Sequence, residues 1–469
     1  MSSASTDDHI GFAYFTAAMS IEEHDSRNVM GWWRALAIWW KVILLALFVI
    51  VFLALALAIR VFTTVSDPSA LLKEDKLVSA DVWDPEPRML AAGLGFTGII
   101  GIPGLDVEES ESSSTRVRLA GGTWNVVKCR DATQSDVSTY TSAATPEAVE
   151  TTYGRQVFYS DGLPVEFSWP ALPSTVSASD FLITLNNGTT TVPEVAAVWP
   201  NFEYNERSTI VLFGHFGNRI DPTKAGALFP IRVDVVKSDT PLTLVGPGKQ
   251  LISAAGMGVE TGGSPYTDPN VAPHERGGPR LAAAKLTRYS SRGDTGPAIF
   301  RPGLLPNHGE ALYGDAAQYR LRVLTTGGMT PDGVRGMHPD EFERFFRLSA
   351  TDEDGREITI DKQGTDYEIN GGRLRVEGLA DLGLKQDEYD DCYKEDRDNQ
   401  IDIVISGDLD AVRAIKRVQM PSTGNYSPVY NPGGPGNDPA PGVRYAAPSP
   451  PIDIAVLDAL DEPLVVDYP

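Results

Sequence analysis

Cysteine and positive charge are scarce in this chain of 469 residues. The two cysteines, Cys129 and Cys392, are too few for a disulfide framework or a four-cysteine zinc site, and they leave open one disulfide or two separate thiols. Only 40 basic residues stand against 63 acidic ones, which gives a net charge of −23. Because such a charge repels nucleic acid, we expect no nucleic-acid partner. The acidity favours solubility, cations or basic partners.

Catalytic signatures are also missing. The sequence contains no H-E-x-x-H zinc motif, no G-x-S-x-G nucleophile elbow and no P-loop, so we assign no catalytic or cofactor-binding residue. The alternative is a membrane-tethered hydrolase with its site in the loops of residues 246–340, where three of the six histidines lie: His274, His308 and His338. A binding or structural function is favoured over catalysis. A hydrolase needs a nucleophile, a base and an orienting group brought together in space, and scattered Ser, His and Asp residues do not establish such a group.

One long apolar run occurs near the N-terminus. The eighteen residues from Val42 to Ile59 carry no charge, close to the length that crosses about 30 Å of hydrocarbon. An aromatic belt precedes the run: Trp32, Trp33, Trp39 and Trp40. The pattern predicts one transmembrane helix over residues 42–62, with a cleaved signal peptide as the rival interpretation. We expect a single-pass cell-membrane protein whose C-terminal body is extracytoplasmic.

The body has the pattern of a β protein. Short stretches rich in β-branched or aromatic residues predict strands at 165–169, 181–185, 209–213 and 231–236. Asn187-Gly188 predicts a hairpin turn, since both residues tolerate positive φ. Short strands separated by turns, with no amphipathic helices between them, are typical of a β-sandwich.

The segment PVEFSWPALPSTVSASDFLITLNNGT (164–189) resembles the opening of bacterial Ig-like modules of exported and surface proteins. The resemblance covers about residues 155–245. It implies an Ig-like β-sandwich outside the cell and no catalytic residues. The matching positions are Val165, Phe167, Ser168, Pro170, Pro173, Ser174, Thr175, Val176, Asp180 and Phe181.

A second group of alternating stretches, at 319–323, 356–360, 373–378 and 401–406, predicts another β-sandwich. The predicted fold class is therefore mainly β, with a single N-terminal transmembrane helix followed by two β-sandwich (Ig-like) modules with long Gly/Pro-rich loops. The predicted organisation is an inner tail (1–41), the transmembrane helix (42–62), a stalk (63–116), the first sandwich (117–245), a Gly/Pro-rich connection (246–315), the second sandwich-like module (316–418) and a Pro/Gly-rich tail with a final edge strand (419–469).

The acidic stretch DEYDDCYKEDRDNQIDIVISGD (387–408) allows a metal site. An EF-hand read from Asp396 fails at its glycine and glutamate positions, but a looser calcium loop survives with four ligands: Asp396, Asp398, Gln400 and Asp402. The alternative is a solvated loop that enters a strand. In that strand Ile401, Ile403 and Ile405 would face the core, with Asp402 on the opposite face.

The predicted function is a membrane-anchored extracytoplasmic binding or structural surface protein. Its partner would be a protein or a cell-surface polymer, and its cofactor at most a structural calcium ion.

Overall fold

The computed structural model describes residues 68–94, 96–105, 110–120, 124–127, 137–140, 144–198, 201–218, 220, 222–264, 279–297, 309–331, 336–390, 393, 399–421, 423–430 and 452–469. The chain divides into two units, Met1–Ser66 and Asp67–Pro469, and every described residue lies in the second. Within that unit the secondary structure is mainly β.

The helices are short. They are α1 (Pro68–Leu71), α2 (Ser110–Leu119), α3 (Pro146–Tyr153), α4 (Gly309–Tyr313), α5 (Phe342–Phe345) and α6 (Leu409–Arg413), with 3-10 turns at Pro173–Thr175, Ala178–Asp180, Pro247–Lys249 and Gly314–Ala316. The strands of the first half are β1 (Leu77–Asp81), β2 (Met89–Ala92), β3 (Phe96–Ile100), β4 (Trp124–Val127), β5 (Val137–Tyr140), β6 (Ser160–Phe167), β7 (Phe181–Leu185), β8 (Thr190–Thr191), β9 (Val195–Ala197), β10 (Thr209–Gly214), β11 (Pro230–Val235), β12 (Thr243–Gly246), β13 (Gln250–Ser253) and β14 (Gly258–Glu260). Those of the second half are β15 (Leu281–Arg288), β16 (Tyr319–Thr325), β17 (Arg347–Thr351), β18 (Glu357–Ile360), β19 (Asp366–Ile369), β20 (Gly372–Ala380), β21 (Gln400–Gly407), β22 (Ile415–Met420), β23 (Ile452–Ala455), β24 (Leu457–Asp458) and β25 (Val465–Tyr468).

The first sheet pair consists of a five-stranded sheet, β2-β6-β10-β9 with β3 also on β6, and a four-stranded sheet, β14-β11-β7-β8. Both sheets contribute to one apolar core, because alternate residues of their strands point inward. Phe167 and Leu212 come from one sheet, Phe181 and Val233 from the other, and all four are fully buried. The β1-β25 ribbon adds Leu77 and Val466 to this core, and β12-β13 adds Leu244.

The second sheet pair repeats this plan. Its six-stranded sheet has the order β19-β20-β21-β16-β15-β24, and its four-stranded sheet has the order β18-β17-β22-β23. The pairings are antiparallel except for the short parallel pair β15-β24. Leu321 and Ile403 of the larger sheet share a core with Leu348 and Val418 of the smaller one.

The two sheet pairs contact each other closely. At Gly93, the residue after β2, an added Cβ would lie 2.1 Å from the backbone oxygen of Thr326 in the second pair. Only glycine lets the two backbones approach this near, since real Cβ atoms essentially never come within 3.0 Å of a neighbour. The outer faces of β6 and β16 are thereby removed from water, and every residue of both strands is buried.

Several sequence expectations are confirmed. The predicted strand 181–185 is β7, and 209–213 and 401–406 lie within β10 and β21. The hairpin at Asn187-Gly188 joins β7 to β8, with Gly188 at a φ of 82°. The structure adds β15, which falls inside the predicted connection 246–315 and pairs with β16 along its length.

The predicted fold class needs one correction. In the part of the chain that the structure describes, no helix is long and apolar enough to cross a membrane. The longest described helix, α2, has 10 residues, whereas a span needs about 20. The prediction of a single N-terminal transmembrane helix followed by two β-sandwich modules is therefore wrong. Its coarser part, a mainly β fold, is confirmed. The segment 42–62 itself lies outside the described residues.

Candidate functional site

Charged side chains cover the face of the six-stranded sheet that turns away from its apolar core. In β16 the residues alternate, so Leu321 and Val323 enter the core while Arg320 and Arg322 point to the other side. Lys285 of β15 and Asp402 of β21 are their neighbours on this face. The first sheet pair and the β1-β25 ribbon cover the face, so these charged groups are buried.

Arg322 is the centre of the charged cluster. Its Nε donates to Asp402 Oδ1 at 2.8 Å, and its Nη2 donates to Asp381 Oδ2 at 2.9 Å. Its Nη1 reaches Asp81 Oδ2 at 3.2 Å and Glu206 Oε1 at 3.4 Å. Burial by itself would lower the pKa of Arg322, but these carboxylates raise the pKa well above its ordinary value. The guanidinium is therefore held permanently charged and joins both sheet pairs and the ribbon.

Two further cations complete the cluster. Arg320 Nη1 donates to Asp294 Oδ1 at 3.1 Å and lies 3.6 Å from Asp402 Oδ2. Lys285 Nζ contacts Asp81 Oδ1 directly and donates to the backbone oxygen of Leu464 at 3.0 Å. Asp81 lies at the end of β1, so Lys285 connects the second sheet pair to the ribbon.

A layer of amides continues the cluster. Asn399, just before β21, donates through Nδ2 to Glu166 Oε1 at 3.2 Å and to the backbone oxygen of Thr325 at 2.9 Å. Its Oδ1 accepts from Asn201 Nδ2 at 3.0 Å and from Thr209 Oγ1 at 3.1 Å. One side chain therefore bonds to both sheet pairs.

Acids outnumber bases in this buried interface. Seven carboxyl groups lie there with four cationic groups: Asp81, Glu166, Glu203, Glu206, Asp294, Asp381 and Asp402 with Arg207, Lys285, Arg320 and Arg322. Burial raises the pKa of Glu166, Asp381, Glu203 and Asp294, and for Glu166 and Asp381 the pKa rises well above the usual range. A buried carboxylate without a partner cation is costly, so burial favours the protonated form of these four groups.

The residues predicted to bind calcium are only partly brought together. Asp396 and Asp398 lie outside the described residues. Gln400 and Asp402 have relative exposures of 1% and 0%, and Asp402 is engaged by Arg320 and Arg322 rather than facing solvent. Among the residues with described positions, no group of three or more His, Cys, Asp or Glu could hold a metal ion. Calcium binding stays a prediction.

A cavity of about 220 Å³ opens beside the charged interface. It lies where β2 and β14, the edge strands of their sheets, meet the beginning of β15. Its wall includes the small residues Ala91, Ala92, Gly93, Gly262, Gly263 and Ala282, with Glu260 and Arg280 exposed beside it. The backbone N–H groups of Gly93, Thr261 and Thr326 already donate to Pro164, Ile231 and Arg280, and the small side chains leave the rest of this edge-strand backbone accessible. The arrangement is suited to hydrogen bonding a polar chain.

Of the three histidines in the predicted hydrolase region, the structure describes only His338. His338 packs on Tyr389 and Tyr393 with ring centroids 5.7 Å and 5.4 Å away, and its Nε2 lies 3.1 Å from the backbone oxygen of Asp390. It is not among the cavity's lining residues. His274, His308 and both cysteines lie outside the described residues.

Sequence reasoning missed the charged interface. Its signal was present as alternation, since Arg320, Arg322 and Asp402 each stand between apolar residues. Alternation marks the two faces of a strand but does not say whether the polar face meets water or a second sheet.

Comparison with known proteins adds little to this geometry. No family model matches the chain, and no curated protein matches it. One solved structure, described as the crystal structure of a tetra-tandem repeat in the extending region of a large adhesion protein, is 8% identical, with 64% of this chain and 70% of that chain covered. Its TM-score is 0.10, so the likeness carries no argument about fold or function.

Proposed function

We propose that this chain is a binding or structural protein of the extracytoplasmic cell surface, built on two Ig-like β-sandwich modules. The observation that carries the proposal is the buried charged interface. It joins two sheet pairs, each with its own apolar core, through Arg322, Lys285 and Asn399. Such an interface favours a rigid scaffold, because leaving any one of these groups without partners would be costly.

The cavity supplies the binding part of the proposal. Pockets for drug-sized molecules measure about 300–1,000 Å³, so one of about 220 Å³ is suited to a single residue or sugar unit of a longer polymer. Among the residues that the structure describes, its lining includes one carboxylate, Glu260, and no histidine, cysteine or serine. A hydrolytic site needs a nucleophile, a base and an orienting group, so the lining favours binding over hydrolysis. The expected ligand is a polymer with backbone-like donors and acceptors, either a protein segment or a cell-surface polymer.

Binding is tested with the full chain on arrays of immobilised peptides and cell-surface polysaccharides. We expect retention by one of these classes, loss of retention in Ala282→Trp, which fills the cavity, and normal retention in Val192→Trp. Val192 is 51% exposed and lies outside the cavity lining, so its variant is the matched control. Equal retention of both variants would place binding elsewhere, and release of a cleaved product would favour the hydrolase. Protease added to intact cells should also digest the body, whereas full protection would contradict the extracytoplasmic location.

A further inference from the structure

The sequence contains two Asn-Gly pairs, and each forms the turn of a β-hairpin. Asn187-Gly188 joins β7 to β8, and Asn370-Gly371 joins β19 to β20. An asparagine that precedes glycine is able to react with its own backbone, because glycine has no Cβ to shield the next amide nitrogen. The two turns have different side-chain contacts, so the fold decides which of them is placed to react.

The side chain of Asn187 is folded forward over the next peptide. Its Oδ1 accepts from the backbone N–H of Thr189 at 3.0 Å and from Thr189 Oγ1 at 2.7 Å. The first of these bonds closes an Asx turn, in which the side-chain carbonyl lies against the backbone of the two residues that follow. The turn therefore brings Asn187 Cγ near the nitrogen of Gly188.

The side chain of Asn370 points elsewhere. Its Oδ1 accepts from the backbone N–H of Glu353 at 2.9 Å, so the carbonyl is turned toward a different loop. Its backbone has a φ of 54° and the residue is half-buried, whereas Asn187, Gly188 and Thr189 are all exposed. Water and hydroxide therefore reach Asn187 more readily.

We propose that Asn187 is a site of self-modification, where the chain converts this asparagine to aspartate and isoaspartate through a cyclic imide. The nitrogen of Gly188 forms a bond to Asn187 Cγ, and the Cγ–Nδ2 bond breaks. The amide proton of Gly188 leaves with Nδ2 as ammonia. One water molecule then opens the imide ring on either side, so atoms balance with water as the only other reactant, and nothing is oxidised or reduced.

Thr189 stabilises the negative charge that develops in the first step. When the nitrogen adds to Cγ, the charge appears on Oδ1, the atom that both Thr189 donors already reach. One contact opposes the step, since the N–H of Gly188 donates to the backbone oxygen of Leu185 at 2.8 Å and has to be released first. Opening a single bond in an exposed turn costs little free energy compared with opening the core.

The product changes the edge of the first sheet pair. The strand β8 follows the turn directly and is the last strand of its four-stranded sheet. Either product adds a negative charge, and isoaspartate also inserts one carbon atom into the backbone between β7 and β8. The pairing of Ile183 with Thr191 and of Thr184 with Thr190 should therefore loosen as the protein ages, while both apolar cores stay intact. This change does not depend on the ligand of the cavity.

Mass spectrometry of the full chain tests the proposal. The chain is kept folded at mildly alkaline pH, which favours loss of the amide proton, and is then digested with pepsin at acid pH. We expect the fragments that carry Asn187 to become heavier by the exchange of one NH group for one oxygen, and to accept a methyl group from an isoaspartyl methyltransferase. Fragments that carry Asn370 should keep their encoded mass over the same period. In concentrated urea the two sites should react at similar rates, because only the fold distinguishes them.

Two variants separate the turn geometry from the sequence. Thr189→Val removes the hydroxyl donor and should slow the reaction of the folded chain roughly fivefold, the effect of one hydrogen bond. Thr190→Val changes the next residue, which is also an exposed threonine, and should leave the rate unchanged. Equal reaction of Asn187 and Asn370 in the folded chain would overturn the proposal. So would an encoded mass at Asn187 after a period in which the chain in urea has reacted fully.

Discussion

Replacing Arg322 with methionine tests whether the charged interface stabilises the fold. The substitution keeps most of the side-chain length but removes the donors to Asp81, Glu206, Asp381 and Asp402. Removing one partner of a buried ion pair costs about 3–5 kcal/mol, because the other partner is left charged and out of water. Burial raises the pKa of Asp381, so Asp381 takes up a proton more readily once Arg322 is gone. Proton uptake removes the unpaired charge, so we expect the loss of unfolding free energy to stay within that range.

The assay is urea unfolding of the full chain, with Arg413→Met as the matched control. Arg413 Nη2 lies 2.7 Å from Asp461, but the two side chains are 35% and 76% exposed, so its loss should cost no more than about 1 kcal/mol. The double variant Arg322→Met/Asp402→Leu should recover part of the loss, since an apolar pair in place of a buried ion pair is often neutral. Equal unfolding midpoints for Arg322→Met and Arg413→Met would refute the stabilising role of the interface.

Two further predictions concern protons and calcium. Burial raises the pKa of Glu166 in the folded protein. The stabilisation that Glu166 contributes is therefore complete at a pH below its pKa in the unfolded chain, about 4.3, and is lost as the pH rises through its pKa in the folded protein. The urea midpoint should therefore fall with rising pH in the wild type and vary less in Glu166→Gln; parallel profiles would contradict the buried, protonated state. For the predicted calcium site, millimolar calcium should raise the melting temperature of the wild type relative to chelator, and Asp398→Ala should abolish the rise. An unchanged melting temperature of the wild type would contradict the calcium site and favour the solvated loop.

The apolar pattern predicted much of the fold. Ile401, Ile403 and Ile405 were expected in the core, and all three are buried there. The residues between them were harder to interpret. Asp402 was expected outside the core as an ion ligand, but it is fully buried and bonded to Arg322, whose position 80 residues earlier in the chain gives no local hint of the contact.

The candidate cavity could not be predicted because it depends on packing between sheets. Its wall combines β2 and the two residues after it, the end of β14 and the residues after it, and the start of β15, which lie far apart in the chain. Composition gave a partial signal, since glycines such as Gly93 mark close backbone approach, but glycine alone does not say which strand comes near.

Hydrogen exchange of the full chain in increasing urea, read by mass spectrometry, tests most directly the claim that the interface makes one scaffold of the two sheet pairs. The amides of β10 and β21 lie in different sheet pairs, on strands whose outer faces meet the interface through Thr209 and Asp402. If the interface couples the pairs, β10 and β21 should lose protection together, with the same dependence on urea. Continued protection of β21 at a urea concentration where β10 exchanges freely would show two independent modules and contradict the account.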